Sequence, residues 1–178
     1  MPVASFRILT IHLPSGAIHR MNKAYILLGS NLGDRKKIMT EATEMLQEAG
    51  SIVLFSSIYK TAAWGKQDQP DFLNQVIVLE TALTAEKLLT KLMETEMRLG
   101  RVRADKWAER TIDMDILYFN DEIIVTEHLK VPHPQIQFRR FTLVPLFEIA
   151  PDLRHPVLNI SSATMLERCV DKLEVIKL

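Results

Sequence analysis

The order in which two apolar periodicities alternate between residues 24 and 119 constrains this chain more than any single residue does. Ala24-Tyr25-Ile26-Leu27-Leu28 is a short apolar run closed by Gly29-Ser30-Asn31, the pattern of a buried strand. Asp34 stands where it can cap a helix in which Ile38, Ala42, Met45, Leu46 and Ala49 recur at helical spacing until Gly50. Ile52 to Tyr59 and Leu73 to Leu79 are rich in β-formers and predict a second and a third strand. Thr84 opens a second helix carrying Leu88, Leu89, Leu92 and Met93 on one side, with Gly100 at its end. Ile112 to Phe119 predicts a fourth strand, which Asn120-Asp121 turns into a short partner, Glu122 to Val125. A β-α-β-β-α-β order predicts an α+β fold of the ferredoxin-like kind, an antiparallel sheet with helices packed on one face. C-terminal additions follow: a loop punctuated by Pro132 and Pro134, a short helix near Arg139 to Phe147, and a tail.

A chain of 178 residues suits one domain with a core of ordinary size. Residues 1–22 read as an N-terminal extension, with Met21 as an alternative start, and residues 23–178 as the single domain. Ile8 to Leu13 has no signal-type apolar core behind Arg7. Hydrophobic residues make up 47% and charged residues 25%, with a formal net charge of +0. That balance is globular and gives no support for a nucleic-acid or membrane partner. One cysteine, Cys169, leaves no disulfide framework and points to a reducing compartment, the cytoplasm. The histidines show no zinc spacing.

Chemistry concentrates after Gly100. Residues two apart in a strand share a face, so Asp113 and Asp115 point one way while Ile112, Met114 and Ile116 point the other. On their own, two such aspartates are more often a solvated acidic edge than a metal site. The flanking Ile116-Leu117-Tyr118-Phe119 places them in a core strand, where uncompensated carboxylates are costly. Magnesium favours one or two carboxylates, with substrate phosphates and water completing its shell. Arg101, Arg103, Lys106 and Arg110 precede the pair, with Trp107 among them, and such a cluster suits a polyphosphate. Phe72 beside Asn74 fits a flat heterocycle, which needs stacking and edge hydrogen bonds; a core phenylalanine and a turn asparagine fit equally well.

Five separated motifs in order then resemble the 6-hydroxymethyl-7,8-dihydropterin pyrophosphokinase family of folate biosynthesis, over about Lys23 to Asp152. They are Gly29-Ser30-Asn31-Leu32-Gly33-Asp34, Gln67-Asp68-Gln69-Pro70-Asp71-Phe72-Leu73-Asn74, Gly100-Arg101-Val102-Arg103, the stretch Lys106-Trp107-Ala108-Glu109-Arg110-Thr111-Ile112-Asp113-Met114-Asp115-Ile116-Leu117, and Val131-Pro132-His133-Pro134. The fourth is the most specific. The resemblance implies transfer of the pyrophosphoryl group of ATP to the pterin hydroxymethyl group, leaving AMP. It implies two Mg2+ ions on Asp113 and Asp115, and Arg103 and Arg110 as catalytic phosphate contacts. ATP would also meet Glu96, Lys106, Trp107, Ile116, His133 and Arg139. The pterin would meet Thr61, Phe72, Asn74, Asp113 and Phe141, and Arg103 and Trp107 would belong to a closing loop. A monomer is implied, with a weak homodimer as the alternative. Ala108-Glu109 departs from the Gly-Pro common at that point of the signature, and Thr61-Ala62-Ala63-Trp64-Gly65 lacks a proline often found there. Met93 and Lys130 stand where some members have polar nucleotide contacts. Two other readings are a kinase that moves one phosphoryl group to another heterocycle, and an RNA-binding sheet. The acidic face weighs against the second.

Overall fold

The computed structural model describes residues 21–63, 69–101 and 110–178. Strand β1 (Asn22–Ser30) is buried at every residue from Ile26 to Ser30, which a strand achieves only with both faces covered. It pairs antiparallel with β4 (Phe72–Thr81) on one side and β5 (Asp113–Phe119) on the other. The far edge of β4 takes two strands in line, β2 (Ser51–Phe55) and β3 (Tyr59–Thr61), and a C-terminal strand β8 (Val175–Lys177) pairs with β3.

The second strand, expected to be continuous over 52–59, is therefore broken at Ser56. There the ladder continues through a side chain: Ser56 N donates to Val76 O at 2.8 Å, while Val76 N donates to Ser56 Oγ at 2.9 Å. The freed Ser56 carbonyl accepts from Gln75 Nε2.

Helices α1 (Arg35–Leu46) and α2 (Ala85–Arg98) begin at the expected caps, Asp34 accepting from Lys37 N and Thr84 from Lys87 N. Both pack on one sheet face, where Met39, Ala42, Leu46, Leu88 and Leu92 meet Ala24, Ile26, Leu28, Ile77 and Leu79. Between α1 and β2, Gly50 lies so close to β4 that a Cβ there would sit 2.1 Å from Glu80 O. The two core helices were expected on one face, with a short helix near Arg139 to Phe147 among the C-terminal additions and no face assigned to it. A second layer is present: α3 (Arg140–Ile149) and α4 (Ser162–Arg168) cover Leu27, Val76, Leu117 and Tyr118 on the opposite face. The apolar residues of β1 and β4 that point away from α1 and α2 require this cover.

The short strand β6 (Ile124–Val125) does not pair with β5, as expected, but with β7 (Lys130–Val131) in a small separate sheet. Asn120, at φ 49°, explains the turn away: its N donates to Lys23 O, and its side chain bonds Lys23 N and Asn22. The outer edge of β5 is met instead by side-chain and loop groups, with Met114 N donating to Glu96 Oε1 and His133 N donating to Leu117 O. No helix among the described residues is long and apolar enough to cross a membrane.

Candidate active site

Register brings the polar residues together. Gly29 lies opposite Asn74 on β4 and opposite Asp113 on β5, and Leu27 opposite Asp115, so these side chains share the face toward α3. Thr61 sits opposite Phe72 in the same way. A one-residue bulge on β5 between Ile116 and Tyr118 ends this regular alternation, so that Leu117 and Tyr118 both join the α3 side. Upstream of it, Met114 and Ile116 belong to the α1/α2 core, as the two-residue period predicts.

A cavity of about 340 Å³ opens over that face. One end is apolar with an amide floor, made by Phe72, Phe141, Thr61 and Asn74. Asn74 is buried, and its Nδ2 donates to Thr61 Oγ1 at 2.9 Å, which leaves Oδ1 as the unspent edge. Gly29 keeps this floor open, since a Cβ there would reach to 3.4 Å from Asn74 Oδ1 and 4.0 Å from Phe72. The other end is ionic and is formed by Arg101, Arg110, Asp113, Asp115, His133 and Arg139. Arg139 joins the two, its guanidinium carbon 5.8 Å from the centre of the Phe141 ring.

At the ionic end both oxygens of Asp113 are engaged by cations. Arg101 Nη1 is 2.7 Å from Oδ1, and Arg110 Nη1 bonds Oδ2. Arg110 is itself held by the turn after β1: its N donates to Asn31 Oδ1 at 2.8 Å and its carbonyl accepts from Asn31 N. Burial, and next the charge of Asp113, push Asp115 up to about 7, against the pull of Arg139. Burial also raises Glu96, opposed by Arg101 and the Met114 N–H. His133 is pushed down to about 4 by burial and by Arg139, so its ring is neutral at pH 7. Its Nδ1 accepts from Gln135 N, which leaves Nε2–H as the donor.

The residues expected from sequence divide into three groups. Thr61, Phe72, Asn74, Arg110, Asp113, Asp115, His133, Arg139 and Phe141 line one cavity. Glu96 and Ile116 do not: Glu96 is buried behind the wall, and the Ile116 side chain lies in the α1/α2 core because it is odd-numbered steps from both aspartates. Arg103, Lys106 and Trp107 lie outside the described residues. Sequence reading missed Arg101 as a wall residue, having counted it only within a basic run. It also missed Asn31, whose buried side chain fixes Arg110. Among the described residues no three His, Cys, Asp or Glu side chains gather as a metal cluster, so protein ligands alone do not complete a shell.

The family model of 7,8-dihydro-6-hydroxymethylpterin-pyrophosphokinase (HPPK) matches residues 25–151. A 2-amino-4-hydroxy-6-hydroxymethyldihydropteridine pyrophosphokinase of Aquifex aeolicus is 43% identical over 137 residues, 77% of this chain and 86% of its own. One of Haemophilus influenzae is 45% identical over 138 residues, 76% of this chain and 86% of its own. The structure of Plasmodium falciparum HPPK-DHPS with pteroate shares the fold, with a TM-score of 0.66 at 18% identity. That match covers 83% of this chain and 42% of the Plasmodium one, so the present chain spans less than half of that protein's length.

Proposed function

The chain belongs to the 7,8-dihydro-6-hydroxymethylpterin-pyrophosphokinase family, and from that premise we propose that it transfers the pyrophosphoryl group of ATP to the hydroxymethyl oxygen of the dihydropterin, yielding the pterin diphosphate and AMP for folate biosynthesis. One observation carries the reading: a single cavity is lined at one end by Thr61, Phe72, Asn74 and Phe141 and at the other by arginines and His133, with Asp113 and Asp115 facing into it.

The pterin ring stacks between Phe72 and Phe141, and Asn74 Oδ1 reads the donors on its edge. The Asn74–Thr61 hydrogen bond anchors the buried amide, which lowers the side-chain ordering that binding requires. The polyphosphate lies toward Arg101, Arg110, Arg139 and the Nε2–H of neutral His133, with Arg103, Lys106 and Trp107 contributing from the segment between Arg101 and Arg110. Ile116 meets the nucleotide through its backbone. Met114 N points away from β1 to Glu96, and residues two apart in a strand direct their backbone groups to the same side. The N–H and C=O of Ile116 are therefore aimed at the outer edge of β5, between Glu96 and His133.

Two Mg2+ ions on Asp113 and Asp115 fit this site. Asp115 is buried beside the charge of Asp113, where a bound cation would offset the cost of ionising it, and a pair of protein carboxylates suits an ion that takes its remaining oxygens from phosphates and water. Bound magnesium would neutralise phosphate charge and acidify the acceptor hydroxyl. The protein's own share is orientation and fixed positive charge, which dominate phosphoryl-type transfer.

The strand order β5-β1-β4-β3, with β2 also on β4, supports the ferredoxin-like class. The single cysteine supports a reducing, cytoplasmic setting. Incubation with ATP, Mg2+ and the pterin alcohol should yield AMP and pterin diphosphate in equal amounts. ADP with a pterin monophosphate would replace this reading by simple kinase chemistry.

A further inference from the structure

We propose that Glu96 is a positioning residue that holds Arg101 partly off Asp113, and so keeps Asp113 available to a divalent cation. The inference rests on the metal-site reading above and assigns Glu96 a task other than contact with the nucleotide.

Glu96 lies on the last turn of α2 and is only 5% exposed. A buried carboxylate needs partners to offset its desolvation. Among the described residues it has two, Met114 N and Arg101, and both border the candidate site. Its Oε1 accepts from Met114 N at 2.7 Å, the backbone group midway between the two aspartates. The same oxygen pairs with Arg101 Nη1, and that same Nη1 is 2.7 Å from Asp113 Oδ1. One guanidinium nitrogen is therefore shared between two carboxylates.

The helix terminus makes this sharing possible. Gly100 takes φ +81°, Gly100 N donates to Met97 O, and Arg101 N donates to Glu96 O, each at 3.0 Å. This double bond pattern closes α2 and folds Arg101 back over the turn that carries Glu96. The Arg101 backbone and side chain are thus tied to the same glutamate. Arg110 occupies the other oxygen of Asp113. A cation approaching Asp113 in the nucleotide-free protein must compete with both arginines. Glu96 weakens one of those competitors by drawing it the other way.

Glu96→Gln separates the two contacts. The amide oxygen still accepts from Met114 N, while the charge that draws Arg101 is gone. Arg101 then has Asp113 as its only anionic partner among these groups. Mn2+ binding, followed by electron paramagnetic resonance with no nucleotide present, should weaken in E96Q by roughly fivefold, the worth of a modest ion pair. Arg101→Gln in that background should restore the affinity to the wild-type value or above. Arg101→Gln alone should bind Mn2+ more tightly than wild type, and it tests the idea even if E96Q does not fold. The Mg2+ concentration for half-maximal AMP formation should rise in E96Q while the KM for the pterin stays fixed. Unchanged Mn2+ affinity in folded E96Q, a loss that Arg101→Gln does not reverse, or weaker binding in R101Q alone would each overturn the proposal. Failure of the metal-site reading looks different: Asp113→Asn and Asp115→Asn would then leave Mn2+ binding intact.

Discussion

The two ends of the cavity solve recognition by opposite means. Four of the six residues of the ionic end, Arg101, Arg110, Asp113 and Asp115, fall within fifteen residues and meet at one strand start, with His133 and Arg139 joining from further along the chain. Its side chains are already engaged with one another, so a ligand must exchange partners there. The heterocycle end draws Thr61, Phe72, Asn74 and Phe141 from two strands and a helix, and among the described residues the Asn74–Thr61 hydrogen bond leaves the Asn74 Oδ1 edge to the cavity. Under the proposed function a ligand would dock there without breaking the Asn74–Thr61 bond. The difference teaches that charge chemistry can be stored in a short peptide, whereas a shaped slot requires tertiary assembly.

The largest effect should come from the ionic end. Asp113→Ala or Asp115→Ala should each lower AMP formation by roughly a thousandfold or more, as expected when charge stabilisation is removed from a transfer reaction. The two ends part on stability. Burial and Asp113 raise Asp115 above the ordinary carboxylate range, so the folded state holds a proton there that the unfolded chain has released. Its ionisation therefore costs stability progressively as pH rises from about 4 toward about 7. Asp115→Asn should melt at least as high as wild type at pH 8 without metal. A lower melting temperature would mean that the aspartate is a structural partner rather than a charge held for a cation.

Phe141→Ala tests the other end and should raise the KM for the pterin by about tenfold or more, the cost of one lost stacking face. The KM for ATP should stay within about twofold. Because Arg139 approaches the Phe141 ring, a shift confined to ATP would show that the ring serves the cation instead. Thr61→Val should cost less, near threefold on the same KM, since it removes one neutral hydrogen bond to Asn74 and keeps the shape.

The same contrast explains what was legible in the sequence. Asp113 and Asp115 were readable because a period of two is a local rule, and caps Asp34 and Thr84 because capping is equally local. Glu96 and Ile116 were assigned to the nucleotide through resemblance, but which groups of a residue reach a cavity depends on its face and depth, and those are set by packing. Arg101 was counted only within a basic run because the glycine helix terminus, Glu96 and Asp113 had to be combined before its direction could be known. Where the helix expected near Arg139 to Phe147 would pack was hidden for a related reason. Leu27, Val76 and Leu117 each looked like ordinary strand residues, and only their common register shows an apolar face that needs covering.

The smallest effect belongs to a clasp outside the cavity that steadies the heterocycle end alone. β8 pairs with β3 so that Val175 lies opposite Thr61, and Lys177 Nζ reaches Glu148 Oε1 on α3 at 2.7 Å. Burial tends to raise Glu148, but hydrogen bonds from Lys177, from the Ser57 side chain and N–H, and from Tyr59 hold it down at about 2. A carboxylate lowered on folding adds stability that is whole above its ordinary value near 4.5 and fades as pH falls from there toward 2. Acid titration followed by circular dichroism should therefore show an unfolding limb in that window, flattened in Glu148→Gln. At neutral pH, Lys177→Met should loosen β8 and raise the pterin KM by no more than about twofold, because the exposed pair is well screened. An equal rise in the KM for ATP would dissolve the distinction between the two ends, since β8 would then support the whole cavity rather than the strand that carries Thr61.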